Sequence, residues 1–305
     1  MNEKIFTARD LTKQYKQLSA LDSVNMEIAR GDIYGFVGEN GAGKTTLIRI
    51  LAGLAVQTKG EISLFGVNET SRLPKQRRRI GGIVENPSVY PDLSAVENLE
   101  ICRLQRGIPD KECISQVLKT VGLTDTGKKK ARHFSLGMKQ RLGLAMALLG
   151  DPEFLVLDEP VNGLDPSGIV DFRELLKRLN RDNGITILIS SHILGELYQL
   201  ATCYGFIHKG KMLEQISVEQ LDEKCKKHLH IKVDDAPKAV TILETVLNTR
   251  KFEVLPNNII RLYDFLNESG EVSKSLFREG IVVEEITAKG NDLEGYYMSL
   301  IGRQK

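Results

Sequence analysis

Residues 4–7, 24–28 and 33–37 are short runs rich in β-branched or apolar side chains, and Arg30-Gly31-Asp32 separates the last two, so the chain is predicted to open with strands joined by turns. A glycine-rich loop follows Val37, and a helix is predicted from about residue 45 to 51. Residues 61–65, bounded by Gly60 and Gly66, read as another strand, as do residues 80–84, which stop at Glu85-Asn86-Pro87. Between about 88 and 150 the period becomes helical, with Val96, Leu99 and Leu104 near one face and Ile114, Val117, Leu118 and Val121 on another. Phe154, Leu155, Val156 and Leu157 form an unbroken apolar run, the mark of a strand covered on both faces. A helix with Ile169, Phe172, Leu175, Leu176 and Leu179 inward is expected next, ended by Gly184, and residues 185–189 form a second covered strand.

Covered strands alternating with amphipathic helices imply an α/β core, a parallel sheet with helices on both faces. The N-terminal strands add an antiparallel part, and segment 88–150 is a helical insertion. From about residue 217 the pattern shifts. Leu229, Ile231 and Val233 alternate with His228, His230 and Lys232, and Asp235 and Pro237 announce a helix with Val240, Leu243 and Leu247 on one face. Strands at 252–255 and 259–263, a helix near 272–277 and a strand at 281–286 complete a βαββαβ order. Two domains are expected: residues 1–216, and a small α+β accessory domain over 217–305.

The length of 305 residues suits two domains of about 150 residues each. Lys plus Arg is 42 and Asp plus Glu is 40, a net charge of +2, so no basic excess calls for nucleic acid as a partner. With 41% hydrophobic and 27% charged residues the composition is that of a folded chain. No apolar run approaches the ~18 residues of a membrane span, and the first residues have no apolar signal core. Cys102, Cys113, Cys203 and Cys225 lack CxxC spacing, which points to a reducing, cytoplasmic setting.

Gly38-Glu39-Asn40-Gly41-Ala42-Gly43-Lys44-Thr45 fits the phosphate-binding loop pattern GxxxxGK[ST]. Its glycines let the backbone wrap phosphate oxygens, and successive N–H groups at the start of the next helix form an anion site. Lys44 is placed toward the β- and γ-phosphates, Thr45 toward Mg²⁺, and Thr46 can donate to a phosphate. Asp158 ends the covered run and is placed to hold Mg²⁺ through water. Glu159, pointing elsewhere, can orient and deprotonate the attacking water.

With these elements in place the chain resembles an ABC-transporter ATP-binding subunit over about residues 3–216. Residues 134–141 (FSLGMKQR) resemble the family signature, residues 154–159 Walker B, residues 163–166 (GLDP) the D-loop, and Ser190-Ser191-His192 the switch histidine. Tyr15 matches the aromatic residue that stacks on adenine. The resemblance implies a P-loop ATPase fold, ATP and Mg²⁺ as cofactors, and a head-to-tail homodimer. Each ATP would lie on residues 38–46 of one copy and meet Ser135 and Gly137 of the other. Glu159 would be the general base and His192 would contact the γ-phosphate. Separate transmembrane permease subunits would complete the transporter and hold this subunit at the inner face of the cell membrane.

Two positions depart from the usual pattern. Leu136 stands where many members have glycine, which leaves the Ser135 hydroxyl and the Gly137 N–H available. Glu85 occupies the place of a loop glutamine and, when ionised, only accepts hydrogen bonds. Glu85 can face Mg²⁺ or water. The glutamate, with residues 85–90 and Leu93 to Leu99, resembles the subgroup that exports bacitracin-like and lantibiotic peptides; drug, lipid and polysaccharide export stay open. The alternative function is a nucleotide-gated regulatory switch with little hydrolysis. The basic runs Lys75, Arg77, Arg78, Arg79 and Lys128, Lys129, Lys130, Arg132 read as solvated faces or as contacts to anionic lipid or a partner. Cys225, His228 and His230 only superficially resemble zinc spacing.

Overall fold

The computed structural model describes residues 3–85, 87–290 and 293–302. Asn86, in the loop that bears on the subgroup, lies outside them. The chain divides into two compact units, Met1–Val218 and Glu219–Lys305.

In chain order the first unit runs β1 (Lys4–Tyr15), β2 (Leu18–Ala29), β3 (Ile33–Val37), α1 (Lys44–Ala52), β4 (Lys59–Leu64), α2 (Leu73–Arg77), β5 (Ile80–Ile83), α3 (Ala95–Arg106), α4 (Glu112–Val121), α5 (Leu136–Leu148), β6 (Phe154–Asp158), α6 (Pro166–Asn183), β7 (Thr186–Ser191), α7 (Leu194–Tyr198), β8 (Cys203–His208) and β9 (Lys211–Ser217). β2, β1 and β4 form an antiparallel sheet. β1 and β2 outrun the short segments expected, because their outer ends bury only one face and charged outward residues interrupt the apolar run.

The central sheet has six strands in the order β5-β6-β7-β3-β8-β9. Pairing is parallel from β5 to β8, while β9 is antiparallel to β8, so the sheet is mixed at one edge rather than parallel throughout. β3, β6 and β7 are buried along their whole length; β3 is apolar throughout and β6 up to Asp158, while the buried Thr186, Ser190 and Ser191 of β7 are held by hydrogen bonds. β8 and β9 have no counterpart in the sequence pattern, since Gly205 breaks the apolar run of β8 and Glu214 and Gln215 that of β9. That glycine is obligatory: a Cβ there would lie 2.1 Å from the Tyr34 hydroxyl.

In the insertion, α4 buries Ile114, Val117, Leu118 and Val121, the face its period marks. α3 differs. Leu99 is buried, but Val96 and Leu104 are 46% and 61% exposed; the inward face carries Ala95, Asn98, Cys102 and Arg103 instead. Asn98 earns that place by donating to the carbonyls of Tyr90, Leu93 and Ser94.

The first basic run is partly structural. Arg77 donates to the carbonyls of Ile50 and Leu51 at the end of α1. Arg79 and Arg30 both bind the Glu153 carboxylate, joining the lead-ins to β5, β3 and β6. Hydrogen bonding from Arg79, then Arg30, pulls the Glu153 carboxyl from 4.5 down to about 2. The depressed value stabilises the fold above the ordinary carboxylate range and ceases to do so as pH falls toward 2. Glu153→Gln is therefore expected to lower the unfolding free energy by about 1 kcal/mol at neutral pH, after allowance for solvent screening, with the deficit shrinking below about pH 4.5. Denaturant titrations of both proteins at pH 7 and pH 3 check this.

The second unit carries α8 (Val218–Cys225), β10 (His228–Val233), α9 (Ala236–Thr245), β11 (Phe252–Leu255), β12 (Ile259–Leu262), α10 (Ser269–Arg278), β13 (Val283–Lys289) and α11 (Leu293–Gly302). The βαββαβ run folds into an antiparallel sheet of order β11-β12-β10-β13, and Leu229, Ile231 and Val233 on β10 enter a core with Leu243, Ile260 and Leu276. The flanking helices α8 and α11 are additions to what the pattern suggests. Among the described residues no group of His, Cys, Asp and Glu is arranged to hold a metal, and no helix is long and apolar enough to cross a membrane.

Candidate nucleotide site

Three parallel strands deliver the chemistry to one edge of the sheet. Val37 pairs with Ser191, and Asp158 pairs with Ser190, so the C-terminal ends of β3, β7 and β6 stand side by side. The loop leaving β3 runs from Gly38 to Gly43 and turns into α1. Gly43 has φ of 113°, and a Cβ there would meet the Ala20 carbonyl at 2.6 Å; one on Gly38 would meet the Ile207 carbonyl at 2.6 Å. Gly43 therefore demands glycine for conformation and for space, and Gly38 for space. No side chain caps the start of α1, which leaves its first N–H groups to the loop.

Lys44 is 4% exposed. Its ammonium donates to the carbonyls of Gly38 at 2.6 Å and Glu39 at 3.2 Å, and lies 3.3 Å from Glu159 Oε1. The cation is thus held by two loop carbonyls and a carboxylate. Thr45 donates to Asp158 Oδ2 at 2.8 Å, and Ser190 donates to Asp158 Oδ1 at 2.6 Å. Both oxygens of this buried carboxylate are satisfied. The Thr45 hydroxyl and the Asp158 carboxylate are hard oxygen donors in contact, the set a Mg²⁺ ion takes when nucleotide phosphates and water supply its remaining ligands.

Glu159, next in the chain, has φ of 46°. Its N–H donates to Ser190 Oγ and to the Ser190 carbonyl, which fixes the reversal that turns its carboxylate away from that of Asp158. Its Oε2 lies 2.8 Å from His192 Nδ1. Lys44, Glu159 and His192 therefore form one chain of contacts beside the start of α1.

A cleft of about 560 Å³ opens over these groups, and Asn40, Gly41, Gly43, Lys44, Thr45 and Thr46 line it. Glu159 closes one side and Tyr15 another. The Tyr15 ring is 42% exposed, with the Lys13 ammonium 4.8 Å from its centroid. Such a ring offers a face for a planar base. Glu39 sits at the loop with His208 Nδ1 at 3.6 Å from its carboxylate, and Ala42 is buried beneath.

Ser135 and Gly137 do not line this cleft. Ser135 caps α5, accepting from the Met138 N–H at 3.3 Å, and is exposed; Gly137 follows within the first turn, with Leu164 its nearest neighbour at 3.7 Å from an added Cβ. They present a separate helix start to solvent. Glu85, expected at the chemistry, forms an ion pair with Arg49 on α1 instead of contacting Lys44, Thr45 or Asp158. Its φ of 64° turns the loop sharply at that point.

Three features escape the sequence reading. Ser190 is the bridge between Asp158 and Glu159, and its only signal is its place two residues before His192. Leu18, Ser19 and Ala20 floor the cleft beside Tyr15. Lys209, in the turn between β8 and β9, also reaches it. That turn is tied down, since Gly210 donates to the Ala42 carbonyl at 2.9 Å and accepts from Asp22 at 2.8 Å. No sequence pattern announces a cleft lysine there.

The ABC transporter family matches residues 21–162 of the chain. The bacitracin transport ATP-binding protein BcrA of Bacillus licheniformis is 46% identical over 298 residues, covering 98% of this chain and 97% of that protein. The lantibiotic transport ATP-binding protein SrtF of Streptococcus pyogenes is 43% identical over 218 residues, covering 70% of this chain and 93% of that one. Among solved structures, the dimeric ATP-binding cassette MJ0796 bound to ADP and phosphate superposes with a TM-score of 0.64 at 25% identity, covering 70% of this chain and 98% of that chain. A cbiO1 subunit from Clostridium perfringens gives a TM-score of 0.67 at 25% identity, with 73% and 92% covered.

Proposed function

We propose, from the premise that this chain belongs to the ABC transporter family of ATP-binding subunits, that two copies close head to tail over two MgATP and so drive export of a bacitracin- or lantibiotic-like peptide through separate membrane subunits. The observation that carries the chemistry is the convergence of Lys44, Thr45, Asp158, Glu159 and His192 at the ends of adjacent strands. Names of the similar proteins support peptide transport over a switch that merely senses nucleotide.

The phosphates take the amides of residues 38–46, and Lys44 transfers its ammonium from the loop carbonyls to them. Tyr15 supports the adenine. Glu159, released from Lys44, accepts the proton of the attacking water, and His192 holds the Glu159 carboxylate while facing the terminal phosphate. Bound Mg²⁺, held by Thr45 and Asp158, supplies charge neutralisation at the phosphates. Ser135 and Gly137 of the second copy close the site, adding dipoles where charge develops and excluding water. Docking of the permease is assigned to a groove of about 260 Å³ beside β5, whose apolar wall includes Leu54, Ile83, Val84, Pro87, Cys102 and Met146. Leu54 there is 68% exposed, which a partner's cover would explain. In this reading the subunit sits at the inner membrane face by way of its permease, and residues 217–305 form an accessory module without part in the hydrolysis.

The test is co-expression with the permease in a peptide-sensitive bacterium. Tolerance of bacitracin or a lantibiotic is expected to rise several-fold over cells carrying the permease alone, and the Glu159→Gln subunit is expected to abolish the gain. Equal tolerance with and without the chain would remove the assignment of substrate.

A further inference from the structure

The position of Glu85 raises an electrostatic difficulty. β5 and β6 are parallel neighbours in register, Ile83 opposite Leu157. The segments beyond those positions carry Glu85 on one side and Asp158 and Glu159 on the other, with strands about 4.8 Å apart. A loop glutamate therefore adds a third carboxylate to the edge of the sheet that must receive a polyanion. Asp158 is balanced by hydroxyl donors and Glu159 by Lys44, but Lys44 is needed by the phosphates. Glu85 has a different cation: the Arg49 guanidinium donates to its Oε1. Arg49 stands one turn after Thr45 on α1, about 6 Å further along the axis, so the pair holds the Glu85 carboxylate beside the helix and back from its start.

We propose that Arg49 is a positioning residue that serves as the counter-ion of Glu85, tying the loop after β5 to the phosphate-loop helix and holding a carboxylate away from the bound nucleotide. The pair also gives the loop a mechanical hold on α1. Val84 and Pro87, which flank it in sequence, line the groove assigned to the permease, while Lys44 and Thr45 open the same helix that carries Arg49. Movement in the groove reaches the phosphate loop through this ion pair. The inference rests on the ATP-binding role and deepens it.

A charge cycle on the full chain tests it, with titration of a fluorescent ATP analogue in the presence of Mg²⁺. Arg49→Gln is expected to weaken binding about fivefold at low salt, the size of a screened interaction between near-surface charges. In the Glu85→Gln background the same change is expected to cost less than about twofold, because no carboxylate is then left to swing toward the nucleotide when Arg49 is lost. Raising the salt to about 0.5 M shrinks the Arg49→Gln penalty, and Arg49→Lys keeps wild-type affinity. Thermal unfolding of each variant controls for loss of fold. An Arg49→Gln penalty of equal size in both backgrounds, or none in either, overturns the pair. Failure of the wild-type chain to bind MgATP would instead strike the proposed function.

Discussion

Glu159→Gln is expected to cut ATP turnover by roughly 10²–10⁴-fold, the range for loss of a general base, while nucleotide binding persists. The amide keeps the shape: its oxygen can accept from Lys44, 3.3 Å from the carboxylate now, and its NH₂ can donate to an unprotonated His192 Nδ1, the nitrogen that lies 2.8 Å from the carboxylate now. What it loses is basicity. It also removes a negative charge from the mouth of the phosphate loop, so affinity for ATP is expected to hold or rise. With hydrolysis stopped and binding kept, MgATP is expected to trap a closed dimer. Single-turnover phosphate release and a light-scattering mass with and without MgATP check the two halves. Turnover within a few-fold of the wild type would remove Glu159 from its role.

Lys44→Ala is expected to lower ATP affinity by about 10²–10³-fold, which corresponds to roughly 3–4 kcal/mol. The ammonium is almost fully buried, and it neutralises the loop at the one place where the backbone folds around it. Removing it takes away a charge-assisted donor to phosphate and leaves Glu159 as an unbalanced carboxylate facing the incoming polyanion. Combining Lys44→Ala with Glu159→Gln is expected to recover part of the loss, because the repulsion goes with the carboxylate. Equilibrium nucleotide titration measures both. Affinity within threefold of the wild type would show that the backbone amides alone hold the phosphates.

The two predictions draw on different kinds of legibility. The place of Lys44 and Thr45, where a glycine-rich loop turns into a helix, was readable because the pattern of glycines followed by a cation and a hydroxyl lies within eight consecutive residues. The covered strand before Asp158 was readable for a similar reason: a strand buried on both faces has no position for a polar side chain until it ends. α3 defeated the same kind of reasoning. Asn98 and Arg103 are buried there because nearby carbonyls satisfy them, while Val96 and Leu104 face outward. An apolar count cannot see such compensation. β8 was hidden by a glycine whose need comes from Tyr34, far away in sequence.

Local order along the chain therefore determined the phosphate loop, the covered strands, the run of helices between them and the alternation of the last domain. Each of these depends on neighbours one to seven places apart, where backbone geometry and side-chain periodicity do the selecting. Tertiary structure alone decided that Ser190 bridges Asp158 and Glu159, that Lys44 rests on Glu159, that Lys209 reaches the cleft, and that Glu85 turns to Arg49. Those contacts join residues remote in the chain. Their partners are chosen by strand register and by the need to balance buried or crowded charge, forces that act across space and leave no periodic mark on the sequence.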